Sequence, residues 1–293
     1  MGSISYNDQV ICHHGAKCAS HRNTACDDCQ PPGFRIAFID EFFQRLIWII
    51  PAGQICRDYQ SHISCVCAFG KGVYKSIDGG TKWIQKNTGI KGKEPFVWRI
   101  TRNDINGELF LIVCRRSDDG SIGNEYDGAV YRSSDGADSW SEMILPEGTN
   151  GPMSISVDPE NPERLLLSAW GRISAEPFSP DTGGGIFLSE DNGKTWKQTL
   201  ERDQHIHDIT YDSRNNTYYA CGFNGSAYRS EDRGESWIRI KGYNFKWGKR
   251  VEPDPRDPEK IFVITFGGGV WYGPAKGDES APEDIIIPIF QRK

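Results

Sequence analysis

The sequence has no long apolar run, no basic surplus and almost no cysteine over its last three quarters, and each absence excludes something. No apolar run approaches the length of a bilayer-spanning helix; Leu46–Ile50, for example, is five residues and reads as a strand. The formal net charge is −6, so the basic footprint of a general nucleic-acid binder is missing. Methionine is scarce at three residues, and hydrophobic residues make up only 37%, which is low for a helical globule. Seven of the nine cysteines fall within the first 67 residues (Cys12, Cys18, Cys26, Cys29, Cys56, Cys65 and Cys67), leaving Cys114 and Cys221 beyond. An odd number so distributed does not describe a disulfide framework for the whole chain, and no signal-peptide pattern opens the sequence.

What is abundant is turn and aromatic chemistry: 32 Gly and 16 Pro beside 9 Trp, 11 Tyr and 14 Phe in 293 residues. This is the composition of many short strands joined by tight turns, and the length suits one large all-β domain. Within it one eight-residue phrase occurs four times: Ser76 to Trp83, Ser133 to Trp140, Ser189 to Trp196 and Ser230 to Trp237. The shared pattern is Ser-x-Asp-x-(Gly/Ala)-x-(Thr/Ser)-Trp, with Asp78, Asp135, Asp191 and Asp232 spaced by 57, 56 and 41 residues. Each copy follows a short strand-like pair: Val73-Tyr74, Val130-Tyr131, Ile186-Phe187 or Ala227-Tyr228. Ser and Asp accept hydrogen bonds from the turn's own amides, Gly supplies an angle other residues resist, and Trp anchors the return strand. Four copies in register indicate a repeat architecture. Each of Trp83, Trp140, Trp196 and Trp237, if buried as an anchor, is expected to lose about 3–5 kcal/mol on replacement by Ala.

The phrase resembles the Asp-box of sialidase-like β-propellers, also called the BNR repeat, over roughly residues 61 to 273. That box occurs in sialidases, other glycoside hydrolases, sortilin-type receptors and a photosystem assembly factor. The resemblance implies an all-β propeller of about five four-stranded antiparallel blades over residues 34–293, closed on itself or part of a larger ring. In each repeat an inner strand ends in an Asp/Asn/Pro turn: Asn103 to Gly107, Asp158 to Pro162, Asp212 to Asn216 and Asp254 to Pro258. A second strand follows in each: Leu109–Cys114, Leu165–Ala169, Thr217–Cys221 and Ile261–Phe266. The fifth repeat has Gly269 to Tyr272 at the third-strand position but no box. Earlier strand signals lie at Phe34–Phe38, Arg45–Ile50 and Ile63–Phe69, and Asp284–Phe290 is a candidate closing edge.

Residues 1–33 match no blade and carry no apolar period. Cys12, Cys18, Cys26 and Cys29, with His13, His14 and His21 nearby, have the Cys-x-x-Cys spacing of a structural zinc site, or else belong to a tail with little regular structure. Beyond this possible zinc the sequence requires no cofactor.

In a propeller the inner strands line the channel, and ligands sit where those strands begin. Counting back four residues from each turn gives Arg99, Ser154, Asp208 and Arg250; one earlier gives Trp98, Met153, His207 and Lys249. His205 and Trp247 lie two further back, and the loops after the second strands add Arg116, Trp170 and Arg172. Arginines suit a carboxylate or sulfate, and aromatic faces suit a sugar ring. The same arginines also suit a bland role, pairing with Asp208 to stitch blades together. Sialidases use an arginine triad, a Tyr/Glu nucleophile pair and an Asp acid/base. Their Phe-Arg-Ile-Pro motif is approximated by Phe34-Arg35-Ile36-Ala37, whereas Tyr211 and Glu252 fall beyond the strand starts and give no evident pair. His205 and His207, two apart beside Asp208, are candidate metal ligands, or His207 a general base. A two-carboxylate hydrolysis would instead pair Asp208 with a loop acid such as Asp127.

Together these features lead to the expectation of a carbohydrate-related propeller. In it Arg99, Arg116, Trp170, Arg172, His205, Trp247 and Arg250 hold an anionic glycan, with Asp208 and His207 near the reacting bond. The other reading is a binding or scaffold propeller that recognises a glycan or protein without turnover. The resemblance also implies a secreted or periplasmic setting.

Overall fold

The computed structural model describes residues 55–281, apart from 59–62, 93–94, 116–127, 150, 172–180, 224, 244 and 246. Five antiparallel sheets account for all the regular structure among these residues, with no helix and so none long enough to cross a membrane. The first sheet is β1 (Ile55–Asp58), β2 (Ile63–Ala68), β3 (Gly72–Ser76) and β4 (Ile84–Gln85). The second is β5 (Phe96–Arg102), β6 (Leu109–Arg115), β7 (Ala129–Ser133) and β8 (Ser141–Glu142). The third is β9 (Pro152–Val157), β10 (Leu165–Ala169), β11 (Gly185–Ser189) and β12 (Lys197–Leu200). The fourth is β13 (Ile206–Asp212), β14 (Thr217–Gly222), β15 (Ala227–Ser230) and β16 (Ile238–Arg239). The fifth has three strands among the described residues: β17 (Gly248–Pro253), β18 (Lys260–Thr265) and β19 (Val270–Pro274). Neighbours in each sheet are consecutive in sequence, and the inner strands β5, β9, β13 and β17 pack side by side in turn. The molecule is a β-propeller.

The second strands read as unbroken apolar runs because both of their faces are buried. In β6, Leu109, Leu111 and Val113 face the first sheet, while Phe110 and Ile112 face the third. Leu165 and Leu167 of β10 pack back against the second sheet and Leu166 packs forward against the fourth; Ile261 and Val263 of β18 face the fourth in turn. Every inter-sheet space is therefore a separate strip of core. Each fully buried Leu, Ile or Phe in it contributes about 1.5–3 kcal/mol.

The turns after the inner strands follow their side chains. Asn103, Asp158, Asp212 and Asp254 are all buried, and each accepts the backbone N–H two residues on at 2.8–3.1 Å. The four Ser-x-Asp turns share one scheme. The Ser hydroxyl donates to its Asp at 2.7–2.9 Å and accepts the N–H four residues on at 2.8–2.9 Å. The Asp in turn accepts the backbone N–H four residues on at 2.8–3.0 Å. The hydroxyls of Ser139 and Thr195, together with these bonds, hold the carboxylates of Asp135 and Asp191 well below the usual range. Two consecutive residues in each turn are left-handed, at φ 71 and 94, 68 and 71, 57 and 78, and 60 and 88. The strained conformation thus falls on Ala137, Asn192 and Arg233 as well as on glycines.

The four tryptophans are not equivalent. Trp140 is 3% exposed and donates to the Lys86 carbonyl of the preceding sheet at 3.0 Å. Trp196 and Trp237 also reach back, to the Ile144 carbonyl and the Thr199 hydroxyl, but are only half-buried. Trp83 is half-buried too, and donates to Gly80 within its own turn. The equal anchoring expected of all four therefore holds in full for Trp140 alone.

The first inner strand is β1, a polar-containing segment the sequence reading passed over; Phe34–Phe38, Arg45–Ile50, Asp284–Phe290 and the Cys12–Cys29 cluster lie outside the described residues.

Candidate functional site

Four of the five inner strands carry the same irregularity. The register shifts between Val97 and Arg99, between Ile206 and Asp208, and between Gly248 and Arg250, leaving Trp98, His207 and Lys249 as extra residues. In the third sheet Ser168 pairs with Ser154 but Ala169 with Pro152, which makes Met153 the extra residue. A bulge re-aims the side chains around it and bends the strand. These bulges fall at equivalent places in four sheets, where the sequence count had set Trp98, Met153, His207 and Lys249 beside Arg99, Ser154, Asp208 and Arg250.

The second set converges. Asp208, 1% exposed, binds Arg99 through Oδ1 and Arg250 through Oδ2, joining the second, fourth and fifth sheets. Its Oδ1 also accepts the Ile209 amide at 2.9 Å. Burial alone would raise this carboxyl, but the two guanidinium groups outweigh it and hold Asp208 ionised below the usual range. Ser154 is also buried, and its hydroxyl lies 2.7 Å from that of Ser168. Arg250 donates from Nη1 to Glu252 Oε1 at 3.1 Å. Burial raises Glu252 despite the pull of Arg250, so two carboxyls on one arginine are pushed in opposite directions.

The first set forms an aromatic cluster. The His207 ring lies 5.3 Å from Trp170, 4.9 Å from Phe266, 6.1 Å from Phe223 and 6.3 Å from Trp98, centroid to centroid. Burial pushes His207 down to about 4, against the pull of Asp208, so its imidazole is neutral at pH 7. His205 stacks edge-on to Trp170 at 4.7 Å, lies 3.3 Å from Asp181, and is likewise lowered by burial. The two histidines do not belong to any group of three metal-capable side chains among the described residues. Lys249 sits over the Phe266 ring at 5.4 Å. Trp247 is 50% exposed and holds a left-handed φ of 55, uncommon for a bulky residue. Arg35, Arg116, Arg172 and Asp127 lie outside the described residues.

Arg99 and Arg250 line a pocket of about 330 Å³, walled by Thr101, Ile155, Tyr211 and Glu252. Tyr211 and Glu252 thus share a cavity with the arginines, although the sequence count set them aside as too far along their strands. The signal was their offset: Glu252 is two residues from Arg250 on β17, so both side chains take the same face.

A family model described as "Sortilin, neurotensin receptor 3" (Sortilin-Vps10) matches residues 71–221. A probable oligoxyloglucan-reducing end-specific xyloglucanase of Neosartorya fischeri is 24% identical over 273 residues, covering 74% of this chain and 33% of that protein. Its counterpart from Emericella nidulans is 21% identical over 210 residues, covering 50% of this chain and 26% of that protein. The chain therefore spans a third or less of the curated relatives it matches. Among solved structures, a GH74 enzyme of Niastella koreensis superposes with a TM-score of 0.56 at 17% identity, covering 75% of this chain and 35% of the other. These superpositions place the fold among propellers.

Proposed function

The chain belongs to the Sortilin-Vps10 family, and on that premise we propose that it is a carbohydrate-related propeller that takes the acidic group of a glycan into the channel pocket. The convergence of Arg99 and Arg250 on one 330 Å³ cavity carries this reading. The kinship to xyloglucanase relatives supports the carbohydrate class, and the four Ser-x-Asp turns are read as Asp-boxes of the sialidase kind.

Asp208 serves here as the strut that holds both guanidinium groups in place. The ligand's carboxylate or sulfate meets their outward edges, where charge-assisted hydrogen bonds are strongest. Glu252, whose carboxyl burial raises against the pull of Arg250, is the titratable group placed beside the bound ligand. Ile155 and Tyr211 supply the apolar part of the pocket wall. A second reading, recognition without turnover, is favoured by one observation: both oxygens of Asp208 are committed to arginine.

The test is a screen of purified protein for binding and turnover against sialosides, uronic-acid oligosaccharides and sulfated glycans, beside Arg250→Ala. Binding of an anionic glycan that weakens by about tenfold or more in the variant is the expected result, equivalent to about 1.4 kcal/mol. Turnover lost in the variant identifies a hydrolase; binding alone identifies a recognition module. No interaction with any anionic glycan would overturn the proposal and leave the arginines as inter-sheet struts.

A further inference from the structure

The spaces between consecutive sheets are packed, but the forward face of the fifth sheet is open. Ile261 and Val263 of β18 pack against the fourth sheet, so Phe262 and Ile264 turn the other way. Ile264 pairs with Arg250 on one side and Val270 on the other, and Phe262 with Glu252 and Tyr272, which puts all six residues on one face. The second sheet has the same rows: Ile112 between Arg99 and Val130, and Phe110 between Thr101 and Arg132. There the third sheet covers them; Phe110 and Ile112 are fully buried and Val130 is 1% exposed. On the fifth sheet Val270 is 58% exposed, Tyr272 is exposed too, and Phe262 and Ile264 are half-buried. A face with the composition of an interior one thus lacks its cover. Among the described residues, no packing comparable to that between neighbouring inner strands joins β17 to β1, and no residue of the first sheet lines the channel pocket. The first sheet turns Val66 and Tyr74, both half-buried, away from the second.

Residues 34–50 have the pattern, spacing and path that suit this space. Leu46–Ile50 is an unbroken apolar run like Leu109–Val113 of β6, and a strand of that kind needs both faces buried. Inner and second strands start 11–13 residues apart in four sheets, at Phe96 and Leu109, Pro152 and Leu165, Ile206 and Thr217, and Gly248 and Lys260; Phe34 and Arg45 are 11 apart. A second strand runs antiparallel to its inner strand and ends on the face where inner strands begin. From Ile50 the chain has to reach the start of β1 at Ile55. Those five peptide steps extend to about 17 Å, against about 10 Å between packed sheets. No third or fourth strand fits into the link.

We propose that residues 34–50 form a two-stranded hairpin, Phe34–Phe38 innermost and Arg45–Ile50 beside it, that seats on Phe262 and Ile264 and closes the ring between the fifth and first sheets. Its inner strand stands next to Arg250 and Glu252 and supplies the channel wall that the first sheet does not.

Photo-cross-linking of the full chain tests this. p-Benzoylphenylalanine is placed at the position of Val270 and, in a second protein, of Tyr272; both flank the seat rather than lie under it. After irradiation the protein is separated by size and digested, and the captured peptide is identified by mass spectrometry. The expected result is capture of a peptide within residues 34–50 in monomeric protein from both positions, and none from a probe at Ile144, an exposed residue after β8. Combining Ile47→Asp with Trp48→Asp puts a carboxylate on each face of the apolar run and is expected to abolish the capture. Capture of a second copy, seen as a dimer, would overturn the proposal. So would capture of residues 282–293, no capture at either position, or undiminished capture in the aspartate variant.

Discussion

Replacement of Asp208 by alanine is expected to destabilise the protein by about 3–5 kcal/mol, because it strands two guanidinium groups that lose their shared carboxylate. Arg99, with a side chain only 12% exposed, has no second carboxylate among its hydrogen bonds to the described residues, whereas Arg250 keeps Glu252. The loss therefore falls mainly on Arg99, and adding Arg99→Met to Asp208→Ala should recover most of it. The pH dependence follows from the depressed carboxyl. Its contribution is complete above the unfolded-state range near pH 4 and is lost as pH falls through the lower folded value. Denaturant midpoints of the single and double variants measure both effects. A loss under about 1 kcal/mol in Asp208→Ala would mean that the three sheets are not joined through this carboxylate.

The second large effect is expected at Trp140. Its replacement by alanine removes a fully buried indole and its bond to Lys86 of the preceding sheet, at a cost of about 3–5 kcal/mol. The same change at Trp83, half-buried and donating from its indole N–H to the Gly80 carbonyl of its own turn, should cost about 1–2 kcal/mol, since less apolar area returns to water. Chemical denaturation of the two variants side by side decides the matter. Equal losses would contradict the distinction between an inter-sheet anchor and a turn-capping tryptophan.

Much of the fold was legible because its signals are local. Asn103, Asp158, Asp212 and Asp254 bond to amides two residues away, and the Ser-x-Asp turns close within four, so residue type and spacing suffice to find them. The second strands were legible because burial on two faces leaves them uniformly apolar. The strand β1 was not, since a four-residue segment containing Arg57 and Asp58 shows neither alternation nor an apolar run. The bulges at Trp98, Met153, His207 and Lys249 were also invisible, because they are defined only by which residue the neighbouring strand pairs with.

The candidate site was half legible for the same reason. Equivalence of position brought Arg99, Asp208 and Arg250 together on paper, and they meet in the molecule. Pairing of the arginines with Asp208 was one of the two readings the sequence left open, and choosing between them depends on distances between sheets more than 40 residues apart in sequence, where no local pattern reaches. Glu252 and Tyr211 were set aside by counting from the strand starts, and only the shape of the pocket returns them to the arginines.

The most direct test of the channel pocket is the pH dependence of its affinity for a sulfated glycan, whose charge is constant over the range used. Glu252 has a raised carboxyl and bonds to Arg250, so lowering the pH from neutral towards the ordinary glutamate range protonates it and releases that arginine. Binding is predicted to tighten about tenfold over this interval, and Glu252→Gln is predicted to bind at the low-pH strength throughout. A flat profile in the parent protein, or weaker binding in Glu252→Gln, would contradict the assignment of Arg250 and its pocket to an anionic ligand.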